Sequence, residues 1–187
     1  MFAQIDIAGV TSSIRQNPDF AELAARRTGI EITNQPDTVV FRDLDDLAER
    51  RNDVAHGEVA NILNDVELGA MLEYIRSFAR ALVVVLEENL LRREIGFRGA
   101  PLPTPIAVHN NRIICFGDSP IDLTRGLRLA VLNGDGKAIC GPIQEIQVDG
   151  VSRETIRAHA GEPFGVSVEF RIKANWTFFA LPNPVVS

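Results

Sequence analysis

Residues 65–105 read DVELGAMLEYIRSFARALVVVLEENLLRREIGFRGAPLPTP, and this stretch divides the chain into two halves of different character. From Asp65 to Ile95 apolar residues recur three and four positions apart, which predicts one long amphipathic helix with Asn64 as its N-cap. The predicted apolar stripe comprises Leu68, Met71, Leu72, Ile75, Phe78, Ala79, Leu82, Val83, Leu86 and Leu90. At ~1.5 Å per residue this helix spans roughly 45 Å, so we expect part of the stripe to pack against a second copy or the other half.

The segment GFRGAPLPTP, residues 96–105, ends the helical pattern because it holds two glycines and three prolines. We therefore predict a helical domain over 1–97, a linker over 98–105 and a β domain over 106–187.

Two shorter helices are predicted before the long one. In QNPDFAELAARRTG, residues 16–29, Asn17 is a candidate N-cap, Pro18 suits the first helical position and Gly29 is a stop. In FRDLDDLAERRNDVAHG, residues 41–57, the predicted apolar side comprises Leu44, Leu47, Ala48 and Val54. The segment between them, residues 29–40, is rich in turn residues and predicts a loop with some extended structure.

Beyond residue 105 the period of the apolar pattern changes to two, which is typical of strands. The predicted strands are RIICF (112–116), LRLAVL (127–132), KAIC (137–140), IQEIQVD (143–149) and FGVSVEFRI (164–172). The sequence NGDG, residues 133–136, predicts a hairpin turn. The fold class is therefore α+β: an N-terminal helical bundle followed by a small antiparallel β-barrel or sandwich.

Composition narrows the possible functions. Hydrophobic residues make up 45% of the chain, and the longest apolar run, ALVVVL at 81–86, is too short to span a membrane. The first residues lack the basic start and apolar block of a signal peptide, so we expect a soluble cytoplasmic protein. The two cysteines, Cys115 and Cys140, show no metal or redox spacing and are expected to be buried free thiols. We predict neither a metal nor a cofactor.

The charge distribution is uneven. Residues 1–97 hold ten arginines, no lysine and seventeen acids, which gives a net charge of −7. Residues 98–187 hold nine basic and eight acidic residues, which gives a net charge of +1. This balance argues against a broad nucleic-acid surface, although it leaves room for a small arginine-lined cleft.

The end of the second predicted helix carries a polar motif, ERRNDVAHGE, residues 49–58. Within it Arg51, Asn52 and His56 form the string R-N-x-x-A-H-G, which resembles the signature of HEPN domains, the higher-eukaryote and prokaryote nucleotide-binding domains. The resemblance covers roughly residues 1–95. It implies a helical bundle, often dimeric with the motifs facing across the interface, and in many members a metal-independent endoribonuclease that acts as a toxin or antiphage effector. One subclass has a tyrosine two residues after the histidine, where this chain has Glu58.

The motif residues suit RNA cleavage on chemical grounds. A histidine with an unperturbed pKa of ~6.5 can move protons, and an arginine can stabilise charge on phosphorus through paired donors. We assign proton transfer to His56, phosphate stabilisation to Arg51 and positioning to Asn52. Positions five apart on an ideal helix diverge by about 140°, so one chain holds Arg51 and His56 poorly for a common phosphate. A two-fold interface would remove that difficulty.

Each motif residue also has a purely structural interpretation. Arg51 could pair with Asp46, Glu49 or Asp53 on a solvated surface, His56 could favour the helix dipole, and Gly57 could only terminate the helix. Arg50, Arg76 and Arg80 are weaker candidates for binding RNA phosphates. Trp176, Phe178 and Phe179 could stack bases, although a core role is the simpler interpretation. His109 and His159 receive no role.

The second half has a resemblance of its own. In residues 141–181, Ile143, Ile146, Gln147, Ala160, Gly161, Gly165 and Val166 follow the pattern of the second domain of translational GTPases. The resemblance implies a barrel that docks RNA or protein, and no GTPase, since no nucleotide motif is present.

Two functional hypotheses result. The first is a dimeric HEPN-type endoribonuclease with RNA as substrate and a possible protein inhibitor or partner. The alternative is a catalytically inactive HEPN-type interaction or scaffold module, which the acidic charge favours. A regulatory subunit with a ligand-sensing barrel is a third option that no residue specifically supports.

Overall fold

The structure is a computed structural model that describes residues 9–57 and 63–183. The predictions about the first residues of the chain and about Glu58 lie outside the described residues. The chain divides into two compact units between Glu87 and Glu88. Helices come first and antiparallel strands follow, which confirms the predicted α+β class.

The described part of the chain contains five helices. They are α1 (Val10–Arg15), α2 (Pro18–Thr28), α3 (Asp37–Val40), α4 (Arg42–Ala55) and α5 (Asp65–Arg98). The predicted caps of α2 are confirmed: the Asn17 side chain accepts a hydrogen bond from Phe20 N, and Gly29 ends the helix at φ 71°. The predicted loop before α4 contains no strand and instead forms α3, a single turn that begins after Pro36.

The start of α5 is also as predicted. Asn64 Oδ1 accepts from Glu67 N at 2.9 Å, and Glu67 Oε2 accepts from Asn64 N at 3.1 Å. This reciprocal pair is a capping box, which satisfies two backbone donors at the beginning of the helix.

An aromatic cluster forms the core of the helical unit. Phe20 of α2 lies within 6.0 Å of the rings of Phe41, Tyr74 and Phe78, measured between centroids. The Tyr74 hydroxyl donates a 2.6 Å hydrogen bond to Val40 O. Burial raises the pKa of this phenol well above its ordinary value. The cluster therefore fixes α5 against α2 and against the segment that leads into α4.

The buried face of α5 differs from the predicted stripe. Met71, Tyr74, Ala81 and Val85 are buried, whereas Leu68, Leu72, Val83 and Leu90 are 46–66% exposed. These four positions and the exposed Ala79 belong to a stripe of which part was expected to pack against a second copy or the other half, and that expectation stays a prediction. Because α5 carries apolar residues on more than one side, the spacing alone does not identify the side that meets the core.

Eleven strands follow in the described residues. They are β1 (Ala100–Pro101), β2 (Ala107–His109), β3 (Ile113–Phe116), β4 (Leu123–Thr124), β5 (Arg128–Leu132), β6 (Ala138–Pro142), β7 (Glu145–Val148), β8 (Val151–Arg153), β9 (Thr155–Ile156), β10 (Phe164–Ser167) and β11 (Thr177–Leu181). The segment predicted as a linker, 98–105, contributes β1, which pairs with β11, and the buried Leu102. The domain boundary at 98–105 stays a prediction.

The strands form three antiparallel sheets that share one core. A four-stranded sheet has the order β1-β11-β5-β6, a five-stranded sheet has the order β2-β3-β10-β7-β8, and β4 pairs with β9. In this core the ring of Phe116 lies 5.5 Å from that of Phe164 and 5.8 Å from that of Phe178, measured between centroids. Trp176 packs partly buried against it, and Phe179 lies in a second apolar cluster, which agrees with the core interpretation of these rings.

Two local strand predictions have different outcomes. NGDG joins β5 to β6 as predicted, with Gly136 at φ 76° donating its N–H to Asn133 O. The strand predicted over 164–172 ends at Ser167, although Val168 and Ile172 remain buried and Glu169 and Arg171 exposed. Alternating burial therefore continues where the ladder of strand hydrogen bonds has stopped.

Candidate functional site

The start of α4 is held firmly against the rest of the helical unit. Phe41, the residue before the helix, is 9% exposed and stacks on Phe20. Arg27 of α2 donates from Nε to Asp43 Oδ2 at 2.6 Å, and its guanidinium lies 5.6 Å from the centre of the Tyr74 ring. These contacts fix the first turn of α4, so the direction of the helix is set from its beginning.

The body of α4 is not buried. None of its residues is buried. Leu47 and Val54 of the predicted apolar side are 38% and 65% exposed and Ala48 is exposed too, so that prediction was wrong for three of its four positions. Only Leu44 packs, partly buried, against the core of the helical unit. The reason is positional: Leu44 is in the first turn beside the aromatic cluster, and the later turns extend past it.

The predicted catalytic residues lie on the last turns of α4, and all three are exposed. His56 is the C-cap, at φ −90° and ψ 2°, and its N–H donates to Asn52 O at 2.9 Å. Gly57 follows at φ 74°, a left-handed conformation that glycine adopts readily, and it ends the helix. The motif therefore coincides with the helix terminus, as its Gly predicts.

The two adjacent arginines have different environments. Arg50 donates from Nε to Asp46 Oδ2 at 2.8 Å, and this hydrogen bond raises the pKa of Arg50. Arg51 instead donates from Nη2 to the amide oxygen of Asn52 at 2.7 Å. Within residues 9–57 and 63–183, no carboxylate lies within ion-pair distance of Arg51. The structural interpretation expected a surface salt bridge from Arg51. Arg50 makes that salt bridge with Asp46 instead, and the Arg51 guanidinium is exposed to solvent.

The structure does not join the two ends of the motif through side chains. In the described residues, no hydrogen bond links the His56 imidazole to Arg51 or to Asn52; the link is the backbone bond to Asn52 O. An exposed guanidinium, an amide and an imidazole on one helix end can bind an anion and exchange protons.

The two other predicted arginines, Arg76 and Arg80, are exposed on α5. Arg76 borders a depression of about 590 Å³ whose other lining residues are Gly69, Leu72, Glu73, Ile75 and Ala79. This lining is mostly apolar and includes a carboxylate, which does not favour a phosphate. A role for Arg50, Arg76 and Arg80 in binding RNA stays a prediction.

Two further features concern the described ranges only. No group of three His, Cys, Asp or Glu side chains is arranged there so that it could hold a metal ion. None of the helices there combines the length and the apolar character needed to cross a membrane.

Sequence reasoning missed a depression on the outer face of the five-stranded sheet, lined among others by Cys115, Gln147 and Gly165. The signal was present in the sequence: apart from Ile113, the residues that alternate with the apolar core positions of these strands are small or polar. Both cysteines are free and half-buried, in agreement with the predicted free thiols but with less burial.

Comparison with known proteins gives limited information. No protein-family model matches the chain, and no curated protein matches it. Among solved structures, it is similar to the C-terminal domain of a Geobacillus thermoleovorans U32 peptidase, with 14% identity over 48% of this chain and 93% of that one and a TM-score of 0.34. It is also similar to GDP-bound aIF5B from Aeropyrum pernix, with 19% identity over 60% of this chain and 20% of that one and a TM-score of 0.28. At these scores the similarities establish neither a family nor an activity.

Proposed function

We propose that this protein is a HEPN-type, metal-independent endoribonuclease whose site is completed when two copies place their α4 ends together. The observation that carries the proposal is the state of Arg51: its charge is exposed and free of carboxylate partners in the described residues, while Arg50 beside it is neutralised by Asp46. His56 is exposed at the same helix end.

The proposed reaction needs one proton acceptor, one proton donor and a cation. The 2′-hydroxyl loses its proton to one His56 as its oxygen attacks phosphorus, and the bond from phosphorus to the 5′-oxygen breaks. The second copy's histidine, protonated at the start, gives its proton to that leaving oxygen. Arg51 stabilises the additional negative charge on the phosphate oxygens, and Asn52 holds the guanidinium by its 2.7 Å hydrogen bond. The products are a 2′,3′-cyclic phosphate and a 5′-hydroxyl.

A second copy is needed because one chain offers one motif histidine. Val54, on α4 between Asn52 and His56, is 65% exposed, and Leu47 lies two turns earlier at 38%. Covering these side chains would favour association of two α4 helices, since buried apolar surface stabilises by ~25 cal/mol per Å². The overall acidic charge of −6 opposes non-specific RNA binding, so we expect a substrate that is recognised locally rather than along its length.

The decisive experiment is RNA cleavage in excess chelator with the full chain. We expect His56→Ala and Arg51→Ala each to lower the rate by about 10²–10⁴-fold, and products of the unaltered chain to carry 2′,3′-cyclic phosphate ends. The matched controls are His159→Asn and Arg26→Ala. His159 is at φ 54°, which asparagine tolerates, and Arg26 is an exposed arginine in a 3.7 Å ion pair with Glu22. Cleavage that survives both motif substitutions, or that the chelator abolishes, would exclude this site.

The alternative function, an inactive HEPN-type interaction or scaffold module, is favoured by a separate observation. Leu68, Leu72 and Val83 of α5, all in the helical unit, are exposed, and together they offer an apolar surface that a partner could cover. Under this alternative the chain leaves RNA intact, and Leu72→Glu abolishes complex formation while His56→Ala does not.

For the nuclease, a role as toxin or antiphage effector predicts that expression of the chain arrests growth and that His56→Ala relieves the arrest.

A further inference from the structure

The outer face of the five-stranded sheet carries a row of small and polar residues. In β3, β10 and β7 the residues Ile114, Val166 and Ile146 are buried in the core, so their sequence neighbours point to the opposite face. The register places Gly165 between Cys115 on one side and Gln147 on the other. Cys115, Gly165 and Gln147 therefore form a strip across three adjacent strands, and the strip is lowest at its centre because Gly165 has no side chain.

This strip is the floor of a groove. A depression of about 530 Å³ has Ile106, Ile113, Cys115, Gln147, Asp149 and Gly165 among its lining residues. A second one of about 40 Å³ shares Ile113, Gln147 and Gly165 with the first and adds Glu145, Val166 and Ser167. We call the two together the sheet groove.

Gly165 leaves space that a side chain could occupy. A Cβ built on it would have only ordinary contacts, at 3.9 Å, with Ile113 Cγ2 and Ile114 O. Its φ is not in the left-handed region. The backbone thus does not require glycine here, and the consequence of the missing side chain is the depth of the groove.

The walls of the groove are apolar and its charged groups are acidic. Ile106 is 68% exposed and Ile113 38%. Glu145 and Gln147 alternate with the buried Ile146 on β7, and Asp149, at φ 51° in the turn between β7 and β8, lines the groove beyond the end of that strand. No lysine or arginine in the described residues lines the groove. Arg153 on the edge strand is exposed, and its pairing with Ile146 places it on the face of the sheet opposite to the groove.

We propose that the sheet groove binds an extended peptide segment of a partner protein that combines an apolar side chain with flanking lysine or arginine. The apolar side chain lies over Gly165 between Ile113 and Gln147. The basic side chains reach Glu145 and Asp149 at the two ends, and the Gln147 amide pairs with the peptide backbone. The acidic lining disfavours RNA, because phosphates would meet carboxylates. This binding function is separate from the proposed nuclease site and does not depend on it.

The test begins with a display library of random twelve-residue peptides, selected on the full chain. We expect enriched sequences to share an apolar residue with a lysine or arginine two or three positions away. A synthetic copy of the most enriched peptide is then titrated by fluorescence anisotropy. We expect Gly165→Val, which fills the groove with a strand-compatible side chain, and Glu145→Lys each to weaken its binding at least tenfold.

The control for the charge reversal is Glu169→Lys, which makes the same change at an exposed carboxylate outside the groove. Its affinity should equal that of the unaltered chain, and thermal melts followed by Trp176 fluorescence establish that each variant folds. The proposal is overturned if selection enriches nothing, if the enriched peptides are acidic, or if they bind the Gly165→Val chain equally well. A single-stranded oligonucleotide that binds in a Gly165-dependent manner would also overturn it, by assigning the groove to nucleic acid.

Discussion

The two larger sheets of the β unit have the same kind of core face but very different outer faces. On the four-stranded sheet, Ala130, Ala138 and Leu181 lie buried under Ile95 from the last turns of α5. On the five-stranded sheet, the equivalent alternate positions hold Cys115 and Gly165, which are half-buried and border a groove. The lesson is that strand alternation guarantees one buried face, whereas the residues at the other positions decide whether a helix covers the second face.

The largest expected effect comes from truncating to alanine the isoleucine that covers one outer face, Ile95 of α5, compared with Ile113 on the other outer face. Ile95 is 5% exposed and Ile113 is 38% exposed. We expect Ile95→Ala to lower the free energy of unfolding by about 2–4 kcal/mol, because it leaves a cavity, and Ile113→Ala to lower it by less than about 1 kcal/mol. Urea unfolding followed by Trp176, the one tryptophan of the chain, measures both values. Equal losses would mean that the groove face is covered as tightly as the other.

Two strand glycines extend the comparison to the core, because Gly141 is paired with the core residue Leu129 whereas Gly165 lies on the open outer face. A Cβ on Gly141 of β6 would lie 3.0 Å from Phe170 Cδ1, whereas a Cβ on Gly165 meets nothing closer than 3.9 Å. We expect Gly141→Ala to destabilise by about 1–3 kcal/mol through overpacking. Gly165→Ala should be neutral or stabilise by about 0.4–1 kcal/mol, since alanine restricts the unfolded chain. The check is the pair of midpoints in thermal melts; a destabilising Gly165→Ala would indicate that the groove floor is more tightly packed than its contacts indicate.

An ion pair contributes to the covered face. Arg128 Nη1 of β5 donates to Glu94 Oε1 of α5 at 2.8 Å, with about three quarters of each side chain buried (24% and 25% exposed). Glu94→Gln should cost about 1 kcal/mol, at the upper end for such pairs. Glu154→Gln is the matched control, because its 3.5 Å pair with Arg125 is 53% and 78% exposed and should contribute little. Both are measured by urea unfolding, and the Glu94→Gln loss should shrink at high salt. Indistinguishable losses for the two variants would show that the covered pair adds no stability.

The two cysteines give the smallest effect. Burial raises the pKa of the Cys140 thiol on the covered face, although the nearby Arg128 charge acts in the opposite direction. We therefore expect a thiol reagent to label Cys115 faster than Cys140, measured by mass spectrometry with Cys115→Ser and Cys140→Ser chains as references. Since the pKa of Cys140 is higher in the folded chain than in the unfolded chain, this thiol makes folding depend on pH. Its contribution to the free energy of unfolding is complete below the ordinary thiol pKa. It decreases above that pKa, because the unfolded chain then ionises while the folded chain stays neutral. Faster labelling of Cys140 would reverse the assignment of covered and open faces.

Local signals of the helical unit were predictable because they depend on a few adjacent residues. The Asn17 cap, the Pro18 start, the Gly29 stop and the Asn64 capping box require only backbone donors within three residues of the side chain. The end of α4 at Gly57 also depends on adjacent residues only. The position of the motif residues at an exposed helix terminus could therefore be predicted from the sequence.

The buried side of α5 and the exposure of most of α4 could not be predicted in this way. Tyr74 is buried because its hydroxyl reaches Val40 O and its ring meets Phe20, two contacts with residues more than thirty positions away. Leu68 and Leu72 have the same spacing and the same apolar character, yet they face outward. A helix with apolar residues on several sides leaves this choice to its neighbours. The sequence also did not show which of the two arginines pairs with Asp46, and in the structure it is Arg50 and not Arg51.

The sequence by itself determined the order of helices and strands, their caps and turns, and the alternation that gives each sheet a core. Those features follow from interactions within a few residues, which the chain carries wherever it is placed. Only the tertiary structure decided which side of α5 is buried, that α5 covers one sheet, and that Gly165 lies between Cys115 and Gln147 in an open groove. These features depend on strand register and on contacts between residues distant in sequence, because many pairings satisfy the same periodicity and only the packed core selects one.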